Sequence, residues 1–318
     1  MFGTFRRVSN PNFWRLQSLD ILDKITLIPA DLTDMSSLLE AVTISNPTEI
    51  YNLAAQSFVE ASFDQPLLTS QVDGTSTTCF LEIIRHLKKD IRFYQASTSE
   101  LYGSAVESPQ SEKTRFLPNS PYAAAKLYSF HISRIYRHSY DAFATNGILF
   151  NHESPLRGLE FVTRKISNAV ARIKLGLQKE LVLGNIEAKR DWGYAPEYVE
   201  AMWRILQHDE PKDFVIATGE THSVKDFVKS AFSEANLNWE DFVKCDKRLF
   251  RPMEVNLLQG DYSKAKQLLN WEPKVKFNKL VSIMVKADIE RWSKYLKGEI
   301  FPWDAPNFAG EMNLLKRT

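Results

Sequence analysis

Short apolar segments alternate with helical patterns along the first half of this chain, and that alternation limits the folds it can adopt more than any other feature. Strands are predicted over residues 25–30, 49–54, 92–96 and 144–150. Helices are predicted over residues 36–45, 66–89 and 121–140. Strands that alternate with helices form parallel sheets. We therefore predict an α/β fold with a doubly wound parallel sheet.

The pattern loosens after residue 151, where charged loops separate shorter elements. Helices are predicted over residues 161–177, 196–207, 223–234 and 261–269, and strands over 180–183 and 213–216. The last of these strands is predicted to return to the first sheet. We predict one domain from residues 1–154 and 194–222 and a smaller α/β domain from residues 155–193 and 223–318. The aromatic-rich end of the chain, 298–318, is expected to pack back onto the protein.

Composition fits a globular protein of two domains. The chain has 318 residues, 44% hydrophobic and 25% charged, which is enough to bury a substantial core. Its net charge of +1 provides no general field for nucleic acid or a membrane surface, and no apolar run is long enough to span a bilayer. Cys79 and Cys245 match no metal-binding spacing, so no metal is expected. The first residues lack the apolar run of a signal peptide, so a cytoplasmic location is predicted.

Tyr122 and Lys126 form the first candidate catalytic pair. Ser120 can cap the predicted helix and Pro121 suits its first position, so the pair lies one turn apart on one helix face. A neighbouring ammonium favours the phenolate, which brings the pKa of a Tyr closer to the working range of a general base. By itself this spacing is more typical of an ordinary amphipathic helix with an exposed Lys, so it needs support from other residues.

That support comes from Ser97, Thr98, Ser99 and Glu100, which directly follow the strand predicted over residues 92–96. In open α/β sheets, ligands bind beyond the carboxyl ends of the strands. Three hydroxyls and a carboxylate are therefore predicted to face the binding crevice. A carboxylate there can also be satisfied by backbone N–H groups at the start of a helix, but its place among hydroxyls favours catalysis.

These motifs and several longer runs resemble one enzyme family. The further runs span residues 51–57, 147–155, 161–167, 188–193, 213–219 and 251–254. Together they make the chain similar to the GDP-mannose 4,6-dehydratases of the extended short-chain dehydrogenase/reductase superfamily. The resemblance implies a Rossmann-like NADP-binding domain and a substrate domain. It also implies a homo-oligomeric lyase that converts GDP-mannose to GDP-4-keto-6-deoxymannose by internal hydride transfer through NADP.

The resemblance assigns the chemistry to Thr98, Glu100, Tyr122 and Lys126. Tyr122 removes the proton of the sugar 4-hydroxyl, while Lys126 lowers the pKa of that Tyr and holds the cofactor ribose. The 4-ketone that results acidifies the C5 proton, which Glu100 removes as water leaves from C6. Thr98 hydrogen-bonds the C4 oxygen. An epimerase needs no carboxylate at position 100, so Glu100 favours dehydration.

Binding residues are expected mainly at the ends of successive strands. For the cofactor the resemblance implies Asp31, Leu32, Leu53, Ala54, Ala55, Gln56, Ser57, His152 and Arg157, together with Tyr122 and Lys126. Arg6 and Arg7 follow a strand predicted over residues 2–5, where a guanidinium would bind a 2′-phosphate, which favours NADP over NAD. For the substrate the resemblance implies Ser99, Asn151, Lys165, Arg190, Arg251 and Glu254.

One departure from the family concerns its phosphate-binding loop. The chain has twelve glycines and no two lie closer than eight residues, so it contains no G-x-G-x-x-G loop. The strand over residues 2–5 resembles the second strand of a dinucleotide-binding fold, so the first βα unit is expected to be missing, as in a truncated or mis-started gene product. The alternative is a real shortened protein. That unit normally supplies the central strand and the helix N-terminus for the pyrophosphate. We therefore expect low stability, weak NADP binding and little activity.

Two alternatives remain open on the sequence. One is another sugar-nucleotide enzyme of the same superfamily, either a 4-epimerase or a dehydratase for a different nucleotide. The other is a non-catalytic binding or assembly subunit, because the phosphate loop is absent.

Overall fold

The computed structural model describes residues 1–9, 12–87, 90–105, 107–250, 255 and 257–299. Its strands are β1 (Phe2–Phe5), β2 (Thr26–Pro29), β3 (Glu49–Asn52), β4 (Arg92–Thr98), β5 (Ala144–Leu149), β6 (Asn151–Glu153), β7 (Leu181–Leu183), β8 (Lys189–Arg190), β9 (Trp192–Tyr194), β10 (Phe214–Ile216), β11 (His222–Ser223) and β12 (Val243–Cys245). Its α-helices are α1 (Trp14–Ser18), α2 (Met35–Ser45), α3 (Ala61–Asp64), α4 (Pro66–Ser70), α5 (Ser76–Leu87), α6 (Pro121–Ser139), α7 (Val162–Lys174), α8 (Ala195–Gln207), α9 (Val224–Glu234), α10 (Ser263–Leu269) and α11 (Phe277–Leu296). Short 3₁₀ turns cover Leu22–Lys24, Ser99–Leu101, Trp239–Asp241 and Lys247–Leu249, and a π-helical turn covers Gln71–Thr75.

The central sheet is parallel throughout and has the strand order β10-β5-β4-β3. Within it, Phe93 of β4 pairs with Ala144 of β5 on one side and with Ile50 of β3 on the other. β10 pairs in parallel with β5, which confirms the predicted return of this strand to the first sheet. β1 and β2 form a separate parallel pair that, among the described residues, has no ladder to β3. The α/β class with parallel strands is confirmed.

Helices cover both faces of the central sheet, as a doubly wound fold requires. Phe93 and Tyr94 are neighbours on β4, so their side chains point to opposite faces. Phe93 packs with Leu38 of α2 and Phe80 of α5. Tyr94 packs on the other side with Met202 of α8, near α10. Burying an apolar side chain of this size contributes ~1.5–3 kcal/mol, so both clusters hold the helices firmly on the sheet.

The second cluster of helices, α7, α9 and α11, surrounds β7. Ile166, Phe227 and Leu280 are fully buried where these three helices meet. A buried ion pair also joins α7 to α11, with Arg164 Nη2 2.8 Å from Asp288 Oδ1. This unit carries most of the chain predicted to form the smaller domain.

The helix predicted over residues 66–89 is interrupted in the structure. α4 ends at Ser70, the π-helical turn follows, and α5 begins at Ser76. The turn lies against α6, because a Cβ added at Gly74 would lie 3.4 Å from the carbonyl oxygen of Ala125. A π-helical turn widens one helical turn by one residue and is often found at functional sites. The helix predicted over residues 66–89 was continuous, so the break was not predicted from the sequence.

Two other elements differ from the expected organisation. α11 lies outside the predicted elements, although its buried residues Leu280, Met284 and Asp288 have helical spacing. α10 was expected in the smaller domain, but its Ala265 and Leu269 pack in the cluster beneath the central sheet. The division into two domains stays a prediction, with α10 as the element that crosses it.

Three expectations from the sequence concern a membrane span, a metal site and the end of the chain. No helix within it is long and apolar enough to cross a bilayer. It also contains no group of three or more His, Cys, Asp or Glu side chains that could hold a metal ion. Residues 300–318, which make up nearly all of the end expected to pack back, lie outside the described residues.

Candidate active site

The hydroxyl-bearing residues at the end of β4 form the floor of the predicted crevice. β4 ends at Thr98, and the 3₁₀ turn Ser99–Leu101 begins directly after it. The Thr98 hydroxyl caps this turn by accepting a hydrogen bond from the Glu100 backbone N–H at 3.2 Å. Thr98 and Ser99 are buried, and Glu100 is half-buried. The cap therefore fixes the backbone that carries Glu100 at the carboxyl end of a central strand.

α6 begins just where the sequence signals place it. The Ser120 hydroxyl accepts a hydrogen bond from the Ala123 N–H at 3.1 Å, and Pro121 occupies the first turn. Tyr122 and Lys126 follow on the helix face that packs on the sheet, and both are buried. The alternative of an exposed Lys on an ordinary surface helix is therefore wrong for this chain.

The four predicted catalytic residues come together where α6 crosses β4. The Tyr122 phenol lies close enough to the Thr98 hydroxyl and to the Glu100 carboxylate for both groups to act on its pKa. On the next turn, Lys126 Nζ donates to the carbonyl oxygen of Ala96 at 3.2 Å. A phenol, a hydroxyl, a carboxylate and an ammonium thus surround one small region.

Burial raises the pKa of Tyr122 above its ordinary value. The charge of Asp73 raises it further, the neighbouring Thr98 hydroxyl lowers it, Glu100 raises it, and the charge of Arg157 lowers it. The expectation that a neighbouring ammonium brings this pKa down is not met, because removing the phenolate from water is the largest effect.

The sequence reasoning missed Asp73, which lies in the π-helical turn and is 1% exposed. Burial raises the pKa of this carboxyl to about 6, although the charge of Lys126 and a hydrogen bond from the Gln56 N–H both lower it. For Lys126 the effects are opposite: burial lowers its pKa, and the charge of Asp73 raises it. Asp73 sits inside a predicted continuous helix, where nothing in the sequence indicates that it turns towards the site.

A buried polar network behind the site was also not predicted. Gln95 Oε1 accepts hydrogen bonds from Asn52 Nδ2 at 2.8 Å and from the Thr77 hydroxyl at 3.0 Å. The Thr77 hydroxyl lies 2.8 Å from that of Ser129, and Gln95 Nε2 donates to the Ala96 carbonyl oxygen at 3.1 Å. This network joins β3, β4, α5 and α6, and it ends at the same carbonyl that Lys126 contacts.

The first predicted cofactor residues lie at the carboxyl ends of β1 and β2. Arg6 and Arg7 are exposed directly after β1. Asp31 Oδ1 accepts hydrogen bonds from the backbone N–H of Thr33 at 2.9 Å and from its hydroxyl at 2.7 Å. These bonds lower the pKa of Asp31, and the nearby charge of Arg6 lowers it slightly further. Leu32 is partly buried against the α2 and α5 cluster.

The residues expected to follow the cofactor next come directly after β3. Leu53, Ala54 and Ser57 are exposed, whereas Ala55 and Gln56 are half-buried. The strand predicted over residues 49–54 ends earlier, at Asn52, so this segment is a loop. The loop lies at the same edge of the fold as the ends of the other parallel strands.

His152 lies on β6, which pairs in parallel with β9. Its Nδ1 lies 2.9 Å from the carbonyl oxygen of Phe150, and its ring stacks on Tyr198 with centroids 4.9 Å apart. Burial lowers the pKa of His152 to about 4, so the imidazole is neutral near pH 7. Because the His152 imidazole is neutral and stacks on the Tyr198 ring, it can also pack against a flat ring of a bound ligand.

The Arg157 guanidinium contacts two residues of its own chain. Its Nε lies 3.4 Å from Oε2 of the buried Glu153, and its guanidinium lies 3.5 Å from the centre of the Phe161 ring. These contacts place a cation beside the Tyr122 region while partly neutralising it.

The predicted substrate residues are divided between the site and the supporting structure. Asn151 and Lys165 are half-buried. Burial lowers the pKa of Lys165, while the charge of Glu60 raises it. Arg190 is buried, and one of its terminal nitrogens donates to the carbonyl oxygens of Val255 at 2.6 Å and Lys189 at 2.9 Å. Arg190 therefore also holds neighbouring backbone in place. Arg251 and Glu254 lie outside the described residues.

Known proteins resemble this chain over most of its length. The sequence profile of a family described as GDP-mannose 4,6 dehydratase matches residues 1–284. A protein of Drosophila melanogaster named GDP-mannose 4,6 dehydratase is 50% identical over 317 residues, covering 92% of this chain and 80% of its own length. The chain belongs to the GDP-mannose 4,6-dehydratase family. The human protein of that name is 49% identical over 313 residues, covering 91% of this chain and 84% of its own length.

Solved structures place this family member in a wider group with the same fold. The structure of RMD from Pseudomonas aeruginosa, complexed with NADPH, matches with a TM-score of 0.78 and 21% identity, covering 91% of this chain and 99% of that one. The dTDP-glucose 4,6-dehydratase DesIV from Streptomyces venezuelae, with NAD and TYD bound, matches with a TM-score of 0.80 and 19% identity, covering 93% and 88%. At these identities the likeness shows the shared α/β fold.

Proposed function

We propose that this chain is a GDP-mannose 4,6-dehydratase, a lyase that converts GDP-mannose to GDP-4-keto-6-deoxymannose with the help of NADP. The observation that carries the proposal is the meeting of Thr98, Glu100, Tyr122 and Lys126 where β4 and α6 cross. Relatives about half identical to this chain over most of its length bear the same name.

The residues at this edge of the fold suit a dinucleotide. Ser97 Oγ and Asn151 Oδ1 are buried and, among the described residues, have no hydrogen-bond partner. Each can therefore form a hydrogen bond with a bound ligand. Arg6 and Arg7 are exposed directly after β1 and would supply the charge for a 2′-phosphate. NADP⁺ would be held by these residues together with Asp31, Leu32, the loop over residues 53–57, His152 and Arg157. When bound, it supplies reversible hydride exchange with the sugar.

Tyr122 acts on the sugar 4-hydroxyl. Its phenol oxygen takes the proton of that hydroxyl as the C4–H bond breaks, and Thr98 holds the same oxygen by a hydrogen bond. Lys126 supports the phenolate as the nearest cation on the helix, anchored at Ala96. Because the phenol is buried and its pKa is raised, that cation matters most at the moment when the charge develops.

Glu100 acts next, at C5 of the sugar. The ketone at C4 makes the C5 proton acidic, and the Glu100 carboxylate removes it while the C6 hydroxyl leaves as water. Glu100 passes this proton to the departing C6 hydroxyl, so water is lost and Glu100 is regenerated as a carboxylate. The hydride taken from C4 would then return to C6 by way of the bound cofactor. The proton that Tyr122 took from the 4-hydroxyl balances the one gained at C5, which completes the 6-deoxy product. The half-buried position of Glu100 beside Tyr122 supports one side chain serving C5 while the other serves C4.

The nucleotide part of the substrate is assigned to the second group of helices. Lys165 lies on α7 in a half-buried position, where an ammonium offsets a diphosphate charge with little competition from water. Ser99, Asn151 and Arg190 complete the described set. Arg251 and Glu254 are assigned to the same role from the family resemblance.

Two further features belong to the proposal. Cys79 and Cys245 are both free thiols, which fits the reducing cytoplasm.

α4 and α6 also present an apolar surface, with Leu67 78% and Tyr128 47% exposed beside Pro66 and Pro121. Such a surface favours association with a second copy of the chain, so a homo-oligomer is proposed. Light scattering of a Tyr128→Glu variant should then give a lower mass than the parent, and an equal mass would contradict this interface.

A substrate panel separates the proposal from its alternatives. We define the loop-extended chain as this chain with a strand, a glycine-rich loop and a helix joined ahead of β1. The 318-residue and loop-extended chains are incubated with NADP⁺ and GDP-mannose, UDP-glucose or dTDP-glucose, and the products are identified by mass spectrometry and NMR. We expect loss of one water from GDP-mannose alone. Inversion at C4 without loss of water would show an epimerase, and no turnover by either chain would favour a binding or assembly subunit.

A further inference from the structure

Phe161 is an aromatic residue that has no role in the proposed reaction. It is half-buried and lies directly before α7, next to the loop that carries the expected cofactor residue Arg157. The central carbon of the Arg157 guanidinium lies 3.5 Å from the centre of the Phe161 ring. A cation within ~6 Å of a ring centre is attracted by the negative face of the ring. At the observed distance the guanidinium therefore lies directly against that face.

Other contacts hold Arg157 from β6 and from α7. Glu153 Oε2 lies 3.4 Å from Arg157 Nε, and the Thr163 hydroxyl donates to the same Glu153 oxygen at 2.7 Å. The Arg157 backbone is fixed by Arg164, whose Nη1 donates to the Arg157 carbonyl oxygen at 2.8 Å. Arg157 Nε is buried and, within the part of the chain that the structure describes, forms no hydrogen bond. The backbone and the charge are thus held, while this N–H donor is left for a ligand.

The Phe161 ring also contacts the end of the loop expected to bind the cofactor. Phe58 directly follows that loop and packs against Phe161 in a T-shaped arrangement, with ring centres 6.2 Å apart and planes at 88°. The Phe58 N–H donates to Gln56 Oε1 at 2.9 Å, and Gln56 Nε2 donates to the Phe58 carbonyl oxygen at 3.1 Å. Phe161 therefore touches both Arg157 and a residue fixed on the loop over residues 53–57.

We propose that Phe161 is a positioning residue that seats the Arg157 guanidinium on its ring face and couples it to the loop expected to hold the cofactor. This inference rests on the proposed function, in which Arg157 and that loop both hold NADP. A flexible Arg side chain loses rotamer freedom when it binds an anion, and a seat formed before binding reduces that cost. Because a ring attracts the cation without occupying its N–H donors, those donors remain for a phosphate.

Fluorination of the Phe161 ring separates its attraction for the cation from its shape. Each fluorine withdraws negative charge from the ring face with little change in size, so the attraction weakens in steps. Phe161 is replaced in the loop-extended chain by mono-, di- and trifluorophenylalanine, and NADP⁺ affinity is measured by isothermal titration calorimetry. We expect the dissociation constant to rise at each step, by about tenfold in total.

The matched control is the same series at Phe232. Phe232 lies on α9, is fully buried and stacks on the ring of Phe242 with centres 6.0 Å apart. Its fluorination should leave NADP⁺ affinity at the parental value. If Phe161 only filled space, affinity would not follow the number of fluorines. A flat response at Phe161, or an equal response at both positions, would overturn the proposal.

An NMR measurement of the 318-residue chain tests the seat without cofactor and without fluorinated residues. Protons held over an aromatic face resonate upfield, so the Cδ protons of Arg157 should lie upfield of those of the exposed arginines. The signal is assigned by its absence in Arg157→Lys. The upfield shift should vanish in Phe161→Leu and persist in Phe161→Tyr, which keeps the ring. An ordinary chemical shift in the parent would refute the seat.

The proposed function fails separately from this inference. Turnover of GDP-mannose by Tyr122→Phe at the parental rate would sink that function, but it would change neither the fluorine series at Phe161 nor the Arg157 signal.

Discussion

Lys126 Nζ donates to the carbonyl oxygen of Ala96 at 3.2 Å, and this contact joins the catalytic helix to the central strand of the sheet. Ala96 lies two residues before Thr98, which caps the turn that carries Glu100. The position of the cation, the hydroxyl and the carboxylate is therefore set by one strand. A small displacement of α6 along β4 would separate Tyr122 from Thr98 and Glu100 and would break the contact of Lys126 with Ala96, so the site depends on the packing of α6 rather than on a loop.

Cofactor affinity should reflect the absence of a glycine-rich loop from these 318 residues. Arg6, Arg7, Asp31 and the loop over residues 53–57 supply charge and shape, but backbone N–H donors at a helix N-terminus are the usual pyrophosphate site. We expect NADP⁺ to bind this chain far more weakly than micromolar, measured by isothermal titration calorimetry. The loop-extended chain should bind at least tenfold more tightly. Micromolar binding and full turnover by the 318-residue chain would show that the loop is dispensable.

Tyr122→Phe should reduce kcat by ~10²–10⁴-fold in the loop-extended chain, because the phenol oxygen is the group assigned to proton removal at C4. Binding of NADP⁺ should change little, since Lys126 and its contact with Ala96 remain. Tyr140→Phe is the matched control on the same helix, because Tyr140 is 52% exposed at the C-terminal end of α6. The assignment is wrong if the Tyr122 variant turns over GDP-mannose as fast as this control.

Glu100→Gln should block the loss of water but keep the residues that are assigned to oxidation at C4. The variant keeps the backbone N–H that Thr98 caps, so the turn should be preserved. Stopped-flow absorbance should detect slow formation of NADPH, with no 6-deoxy product in the quenched mixture. Glu107→Gln, at an exposed position, should behave as the parent. Normal product formation by the Glu100 variant would exclude it as the base at C5.

The ion pair between Arg164 and Asp288 should be critical for stability. Both side chains are fully buried, and the Ser167 hydroxyl also donates to Asp288 Oδ2 at 2.6 Å. Asp288→Asn leaves a buried guanidinium uncompensated, so we expect a loss of ~3–5 kcal/mol in the free energy of unfolding. Replacing both residues with Met should cost less than the single change. Urea denaturation of the single and double variants tests this, and additive losses would contradict the coupling.

Asp191 should make stability depend on pH. It accepts hydrogen bonds from the N–H groups of Thr218, Gly219 and Gly260, yet burial raises its pKa from 3.8 to about 6. The folded state then binds the proton more tightly than the unfolded state, so this contribution to stability is present at low pH and is lost as pH rises through about 6. Between pH 5 and pH 7 the loss should be about 1 kcal/mol.

Asp191→Asn removes this titration, so the difference between its unfolding free energies at pH 5 and pH 7 should be smaller than in the parent by that amount. Comparing the two proteins at each pH cancels the effects of all other groups. An equal pH dependence in both would show that the Asp191 carboxyl does not change its pKa on folding.

The sequence by itself determined the fold class and much of the candidate site. Apolar periodicity predicts the parallel strands, because residues that alternate or recur on one face must be buried against a neighbouring element. Ser120 and Pro121 mark the first turn of α6 through local hydrogen bonding and fixed backbone angles, which need no distant partner. The spacing of Tyr122 and Lys126 then follows from the helix alone.

Only the tertiary structure decided how those residues behave. The pKa of Tyr122 is raised rather than lowered because the packing of α6 on β4 removes the phenol from water, and desolvation outweighs a nearby charge. Asp73 reaches the site because a π-helical turn packs against α6, and Arg190 is held by a carbonyl of a residue 65 positions away along the chain. Burial and long-range contacts depend on which elements meet, and local sequence patterns do not carry that information.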